Sequence, residues 1–303
     1  MGDGGAAMIG AVERQMVQMI DEVGYPYASE LFGKLKGGKR LRAKLIMMIA
    51  GSGEEAARLG AVIELIHAAS LLHDDVIDDA ALRRGVPSVN ATEGSKQAVM
   101  LGDILYSKAF SELTRFDAAI AKTVADAVTS LSVGEMMDVQ MASSFNEDEE
   151  RYLQMLYLKT GVLIEAAAKS AAMLAGKDAQ AHALYGKNLG IAFQIIDDIL
   201  DIVSDEATLG KPAMNDYAEG KCTLPYIYLY RALDGAQAQR LKAMHAQRVS
   251  PEQTAWIKAG MQKYGTVEAS YERARALSEE ALAAIRGDTA LEQVIDSMMQ
   301  RRF

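Results

Sequence analysis

Apolar residues return every three or four positions along most of this chain, and prolines rarely interrupt them. Leu59, Val62, Ile63, Ile66 and Ala69 form one such run, a spacing that lays one face along an α-helix. The five prolines, Pro26, Pro87, Pro212, Pro225 and Pro251, fall at or near breaks between runs, where a residue without a backbone N–H does least harm. Between the breaks the chain is rich in Ala, Leu, Met, Glu and Lys, all strong helix formers. Short alternating patterns that would mark strands are scarce. The pattern predicts an all-α protein. No linker or composition shift divides it, so residues 1–303 are expected to form one domain, with residues 1–10 a flexible tail. Asn146, followed by Glu147, Asp148 and Glu149, is expected to cap a helix. Ser250-Pro251-Glu252-Gln253 reads as a capping box with proline at the first helical position. The longer loops are placed at residues 83–95 and 204–221.

Composition narrows the function. Half of the 303 residues are hydrophobic and 24% are charged, a globular profile. The net charge is −9, without a long basic run, which speaks against nucleic acid as a partner. Cys222 is the single cysteine, so no intramolecular disulfide or paired-cysteine metal site can form. A reducing, cytoplasmic setting is expected. The first ten residues lack the basic start and apolar core of a secretory leader. The apolar stretch over residues 161–176, broken by Glu165 and Lys169, falls short of the ~18 residues a membrane span needs.

Two short acidic motifs carry the chemistry. His73-Asp74-Asp75-Val76-Ile77-Asp78 and Gln194-Ile195-Ile196-Asp197-Asp198-Ile199-Leu200-Asp201 both contain D-D-x-x-D. On a helix, Asp74 and Asp78 share a face with Asp75 beside them, and Asp197, Asp201 and Asp198 repeat the arrangement. Like charges one turn apart destabilise a helix, and apolar neighbours add a desolvation cost. A bound cation resolves both. All-carboxylate ligation selects a hard ion, and Mg²⁺ is favoured where phosphate oxygens complete its shell.

Basic residues lie near these motifs. Gly37-Gly38-Lys39-Arg40-Leu41-Arg42 opens a predicted helix, whose glycines permit close backbone approach and whose N-terminus attracts anions. Lys39 and Arg42, three apart, are expected on one face. His67 lies two turns before Asp74. Arg83 and Arg84 follow the first acidic motif and bring forked donors suited to phosphate oxygens. Lys159, Thr160, Lys211 and Lys221 add further cations and donors.

Taken in order, these motifs resemble those of the trans-isoprenyl diphosphate synthases, or polyprenyl synthetases. The resemblance runs from about Lys34 to Pro225. It includes Gly102-Asp103, Phe193-Gln194 before the second acidic motif, and residues 210–212 and 219–225. It implies a helical bundle of the isoprenoid synthase type with a central active-site cavity. It also implies two or three Mg²⁺ ions held by Asp74, Asp75, Asp78, Asp197, Asp198 and Asp201, chiefly Asp74, Asp78, Asp197 and Asp201. These ions would bridge an allylic diphosphate, which Arg83, Lys159 and Lys211 also contact. Lys39, Arg42, His67 and Arg84 would bind isopentenyl diphosphate, and Lys221 is a further substrate-binding residue, of either diphosphate. Thr160 and Gln194 would face the developing carbocation. Two positions depart from the pattern, Ala43 in place of proline and Asp138 in place of glutamine, and neither is expected to touch the diphosphate ligands.

Ala69 and Ser70, one turn before Asp74 and Asp75, are small where short-chain relatives carry a bulky aromatic residue. The resemblance then implies a medium-to-long product, best placed at about eight isoprene units as for a quinone side chain, with farnesyl or geranylgeranyl diphosphate as the alternative. Val128, Leu131, Phe110 and Phe116 are candidates for a deeper floor. A non-catalytic partner subunit would usually lose an acidic motif, and a terpene cyclase would normally carry Asn, Ser or Thr and Glu in the second one. The family is usually homodimeric, and product release would involve transient membrane contact.

Overall fold

The computed structural model describes residues 3–35, 37–204 and 214–300, with the backbone alone for residues 3–6. It falls into two compact units. The first comprises residues 1–128 and 166–183, and the second residues 129–165 and 184–303. Among the described residues the only sheet is a two-stranded hairpin, so the helical expectation holds.

The first unit is built on α4 (Glu54–Ile77), with α1 (Asp3–Asp21), α3 (Leu41–Ala50) and α6 (Ser95–Leu113) packed against it. Leu59, Val62, Ile63, Leu65 and Ile66 of α4 are all inaccessible to solvent, and a helix that is apolar nearly all round belongs at the centre of its unit. By length and composition α4 is the one described helix able to cross a membrane, rather than the segment at residues 161–176, but 72% of its apolar window is buried inside the protein. The α1 helix begins at Asp3, within the segment expected to be a tail, and buries Val12, Met16, Met19 and Ile20 beyond it. Helix α2 (Pro26–Lys34) starts on its proline.

The expected loop at 83–95 holds structure. Strands β1 (Leu82–Arg83) and β2 (Val86–Pro87) pair antiparallel, and α5 (Val89–Glu93) follows, capped by the Ser88 hydroxyl. Arg84 and Gly85 form the two-residue turn, with φ of 54° and 75°, the positive pair that suits the twist of a tight hairpin.

In the second unit, α8 (Glu149–Leu156) runs into a π-helical turn (Tyr157–Gly161). Its N-cap is Asp148, which accepts from the N–H groups of Glu150 and Arg151, while Asn146 bonds the backbone of Asp148. Asn146 was the expected cap; the side chain two residues closer reaches the orphan N–H groups. Helices α7 (Ala118–Ala142), α9 (Val162–Leu174) and α10 (Ala179–Val203) contribute residues to both units. The rest of the second unit is α11 (Asn215–Ala218), α12 (Leu224–Ala232), α13 (Gly235–Ala243), α14 (Pro251–Tyr264), α15 (Thr266–Ala284) and α16 (Thr289–Met299). Its core includes the stacked Tyr217 and Tyr226 rings, 4.1 Å apart. The capping box at Ser250 forms as expected.

Candidate active site

In the first unit, α4 ends within the acidic motif. Asp78 caps its C-terminus, with its N–H on the carbonyl of Asp74 at 2.8 Å. Asp78 is exposed and Asp74 partly so, whereas Asp75 is buried. Arg83 donates to Asp75 Oδ1 from Nε at 2.8 Å and from Nη2 at 2.5 Å. The forked cation assigned by resemblance to a diphosphate is therefore held here by a carboxylate assigned by resemblance to a metal ion.

A cluster of positive charge surrounds His67. Burial, then the charges of Arg42, Arg84, Arg40 and Arg83, hold its imidazole well below the ordinary value. Burial also depresses the Arg42 and Arg84 guanidiniums, and Arg83 and Arg40 add to the effect at Arg84. Glu64, three residues before His67 and buried, answers part of this charge. Its carboxylate accepts from Arg40 Nη1 at 3.3 Å and from the Ala43 N–H at 3.2 Å. A proline at position 43 would have no N–H to give. The Arg42 Nε atom is buried without a hydrogen-bond partner. Gly38 lies so close to Arg84 that a Cβ there would sit 2.6 Å from the guanidinium nitrogens. Arg40 has φ of 50° and lies ahead of the helix, so Lys39 is outside α3 and the expected shared helical face with Arg42 does not form. Lys39 is exposed.

Ala69 and Ser70 are buried within this unit, and the Ser70 hydroxyl donates to the His67 carbonyl at 2.9 Å. His73 donates through Nε2 to the Val99 carbonyl at 3.2 Å and lies 3.6 Å from Asp103. A Cβ on Gly102 would overlap its ring.

In the second unit a cavity of about 120 Å³ is lined by Tyr152, Lys159, Thr160, Gln194, Asp198 and Lys221, among others. The π-helical turn presents Lys159 and Thr160, and such turns are frequent at functional sites. Lys159 lies 2.5 Å from Asp138 and 2.8 Å from Glu135, both on α7. Asp138 therefore does touch a residue assigned to the diphosphate, contrary to expectation. Burial works against the Lys159 charge, but the two carboxylates more than offset it and hold the ammonium above the usual lysine range. Lys221 is raised likewise against burial, by Asp216 and by Glu219, which it meets at 2.7 Å.

The second acidic motif on α10 divides like the first. Asp197 is partly exposed, and Asp198 and Asp201 are buried. Asp201 Oδ2 accepts from the Asp216 N–H at 3.1 Å, tying α10 to the start of α11. Asp198 accepts from Tyr152 and Gln194, and burial with the charge of Asp216 pushes its carboxyl up to about 8. Lys211 lies outside the described residues. Sequence reasoning missed Glu64, Glu135 and Tyr152; only Glu64, a lone carboxylate in an apolar run, left a readable signal.

The donor chemistry fits Mg²⁺. Asp74 and Asp78 in the first unit, and Asp197 in the second, are each at least partly exposed carboxylates, the hard donors this ion prefers. Among the described residues no group of three or more His, Cys, Asp or Glu side chains is placed to hold a metal ion.

Comparison with known proteins agrees with this chemistry. The polyprenyl synthetase family model matches residues 27–261. The chain is 33% identical over 277 residues to an octaprenyl diphosphate synthase of Escherichia coli, covering 89% of this chain and 84% of that one. It is 40% identical over 217 residues to a short chain isoprenyl diphosphate synthase of Methanothermobacter thermautotrophicus, covering 68% and 67%. The crystal structure of octaprenyl pyrophosphate synthase from Helicobacter pylori matches with a TM-score of 0.93 at 40% identity, over 98% of this chain and 99% of that one. The acidic motifs, the cations gathered around a neutral imidazole and the all-α fold thus have a common explanation: this chain belongs to the polyprenyl synthetase family and is a prenyltransferase.

Proposed function

We propose that the protein condenses isopentenyl diphosphate with an allylic diphosphate to make an all-trans polyprenyl diphosphate of about eight isoprene units. The observation that carries this reading is the gathering of four arginines about His67: Arg40 meets Glu64 and Glu13 and Arg83 meets Asp75, while the buried Arg42 Nε has no hydrogen-bond partner. A multiply charged anion such as a diphosphate suits such a cluster. Lys39, Arg42, His67 and Arg84 take isopentenyl diphosphate. The allylic diphosphate falls to the acidic motifs and to Lys159, Lys211 and Lys221. Asp74, Asp78 and Asp197 would hold Mg²⁺, which neutralises the leaving diphosphate when bound. The allylic C1–O bond breaks and inorganic diphosphate departs with the electron pair. The double bond of isopentenyl diphosphate attacks C1, and the released diphosphate takes a proton from the adduct, which restores a double bond. Gln194 and Thr160 place oxygen lone pairs toward the developing cation, and apolar walls keep water from capturing it.

The small side chains of Ala69 and Ser70 favour a long product, and the octaprenyl synthases of Escherichia coli and Helicobacter pylori among the relatives support it. The short chain synthase of Methanothermobacter thermautotrophicus supports a second reading, a product of three or four units. The exposed apolar stripe Val133, Met136 and Val139 on α7 supports a homodimer. We place the enzyme in the cytoplasm, with membrane contact on product release.

The decisive experiment supplies Mg²⁺, farnesyl diphosphate and labelled isopentenyl diphosphate, then sizes the dephosphorylated products by mass spectrometry. A ladder ending near eight units is expected. A stop at three or four units replaces the chain-length reading, and no condensation with any allylic primer overturns the function.

A further inference from the structure

Asp198 belongs to the second acidic motif by sequence, but its carboxylate is spent on the protein. Tyr152, fully buried on α8, donates its hydroxyl to Oδ2. Gln194, one turn earlier on α10, donates Nε2 to Oδ1 at 2.9 Å. With Tyr152 on Oδ2, Oδ1 is the acceptor that faces Gln194, and a flipped amide would set its carbonyl oxygen against it, so Asp198 sets which end points where. With the amide nitrogen on Asp198, Oε1 faces the other way and accepts from Thr160 Oγ1 at 3.3 Å. Each of the three hydrogen bonds among these four side chains runs toward Asp198. What Gln194 Oε1 and Thr160 Oγ1 have left for the cavity they line is oxygen lone pairs. An amide turned the other way would present N–H groups to a developing cation and repel it.

We propose that Asp198 and Tyr152 are positioning residues, a buried carboxyl and its clamp, which orient Gln194 and Thr160 with their oxygens toward the allylic cation, and that Asp198 is not a metal ligand. The inference rests on the proposed prenyl transfer. It assigns the three aspartates of this motif different work: Asp197 faces the ion, Asp201 holds the start of α11, and Asp198 sets the polarity of the cavity wall.

The test compares Asp198→Asn, Tyr152→Phe, Thr160→Val and Asp197→Asn by two readouts. Calorimetry of Mg²⁺ with inorganic pyrophosphate should give wild-type affinity for Asp198→Asn and Tyr152→Phe and a loss for Asp197→Asn. Steady-state kinetics should show kcat reduced roughly 100-fold in Asp198→Asn, the scale on which one preorganised polar contact to a transition-state charge matters. Both KM values and the Mg²⁺ concentration for half-maximal rate should hold within about twofold. The double variant Asp198→Asn with Thr160→Val should cost little more than Asp198→Asn alone, because both cut one relay. A Mg²⁺ requirement that rises in Asp198→Asn as it does in Asp197→Asn would overturn the assignment, as would full additivity in the double variant. These two arms decide the matter even if Tyr152→Phe does not fold. If the wild type takes Mg²⁺ and pyrophosphate but condenses nothing, the proposed function fails, and the calorimetric arm still judges Asp198 as a ligand.

Discussion

His67 ties the chemistry of one residue to the stability of the fold. Unfolded, its imidazole titrates near the ordinary 6.5; folded, burial and the charges of Arg42, Arg84, Arg40 and Arg83 keep it neutral to well below that value. Between the two values the unfolded chain binds one more proton, so this contribution to stability is present above pH 6.5 and is lost as the pH falls. The slope reaches at most about 1.4 kcal/mol per pH unit. Urea melts at pH 7.5, 6 and 5 should show His67→Gln losing less stability than wild type as the pH drops. Parallel curves would mean that the imidazole titrates normally. Saturating pyrophosphate should flatten the wild-type curve too, because an anion among the arginines favours the imidazolium. At this scale the sequence told which residues matter, but not which oxygen of each was already taken. The family resemblance put Asp75 and Asp198 among the metal ligands and Arg83 on a diphosphate. Whether a carboxylate faces an ion, a guanidinium or a tyrosine depends on neighbours distant in the chain, as Tyr152 is from Asp198. Asp138 eluded the sequence for the same reason, since its contact with Lys159 joins α7 to the π-helical turn.

Elements were legible where local chemistry decides them. Proline and serine at 250–251 start α14 because the cap is built from adjacent residues. The hairpin at residues 82–87 and the π-helical turn were not legible. Packing inserts the wider turn at Tyr157–Gly161. Gly134 on α7 is one cause: a Cβ there would collide with the Lys159 nitrogen and the Leu158 carbonyl carbon, so the turn and α7 meet backbone to backbone. Those atoms cannot swing aside as a side chain would. Gly134→Ala is expected to destabilise the protein by about 1–3 kcal/mol, the usual range for overpacking. It should also lower kcat more than either KM, because the displaced turn carries Lys159 and Thr160. Urea denaturation with steady-state kinetics checks both. An unchanged melt would mean that α7 and the turn separate at little cost, and would remove the argument that close approach shapes the turn.

For the whole molecule, fold class was legible because a period of 3.6 residues recurs in nearly every segment and each recurrence is independent testimony. A cation-and-phosphate site was legible because charge in apolar helices needs a reason, twice over, and the order of the motifs added the reaction class through the family they resemble. Product length was not, because it is set by which side chain closes a volume, and small residues read equally well as walls or as packing. Ala69 and Ser70 are both buried on α4, which either role would require. Substitution separates the roles. If the growing chain runs beside α4 past Ala69, the ring in Ala69→Phe intrudes on the chain and the product ladder shortens from about eight units to three or four, with initial turnover of the primer retained. If Ala69 only packs, the ring has nowhere to go. Stability then falls by about 1–3 kcal/mol and the length of the final product stays as in wild type. Product sizing and urea melts on the same preparation distinguish the two, and the expected outcome is the shortened ladder. A full-length ladder from a destabilised enzyme would move the search for the floor to Phe110, Phe116, Val128 and Leu131, where a larger residue should then shorten the product and a smaller one lengthen it.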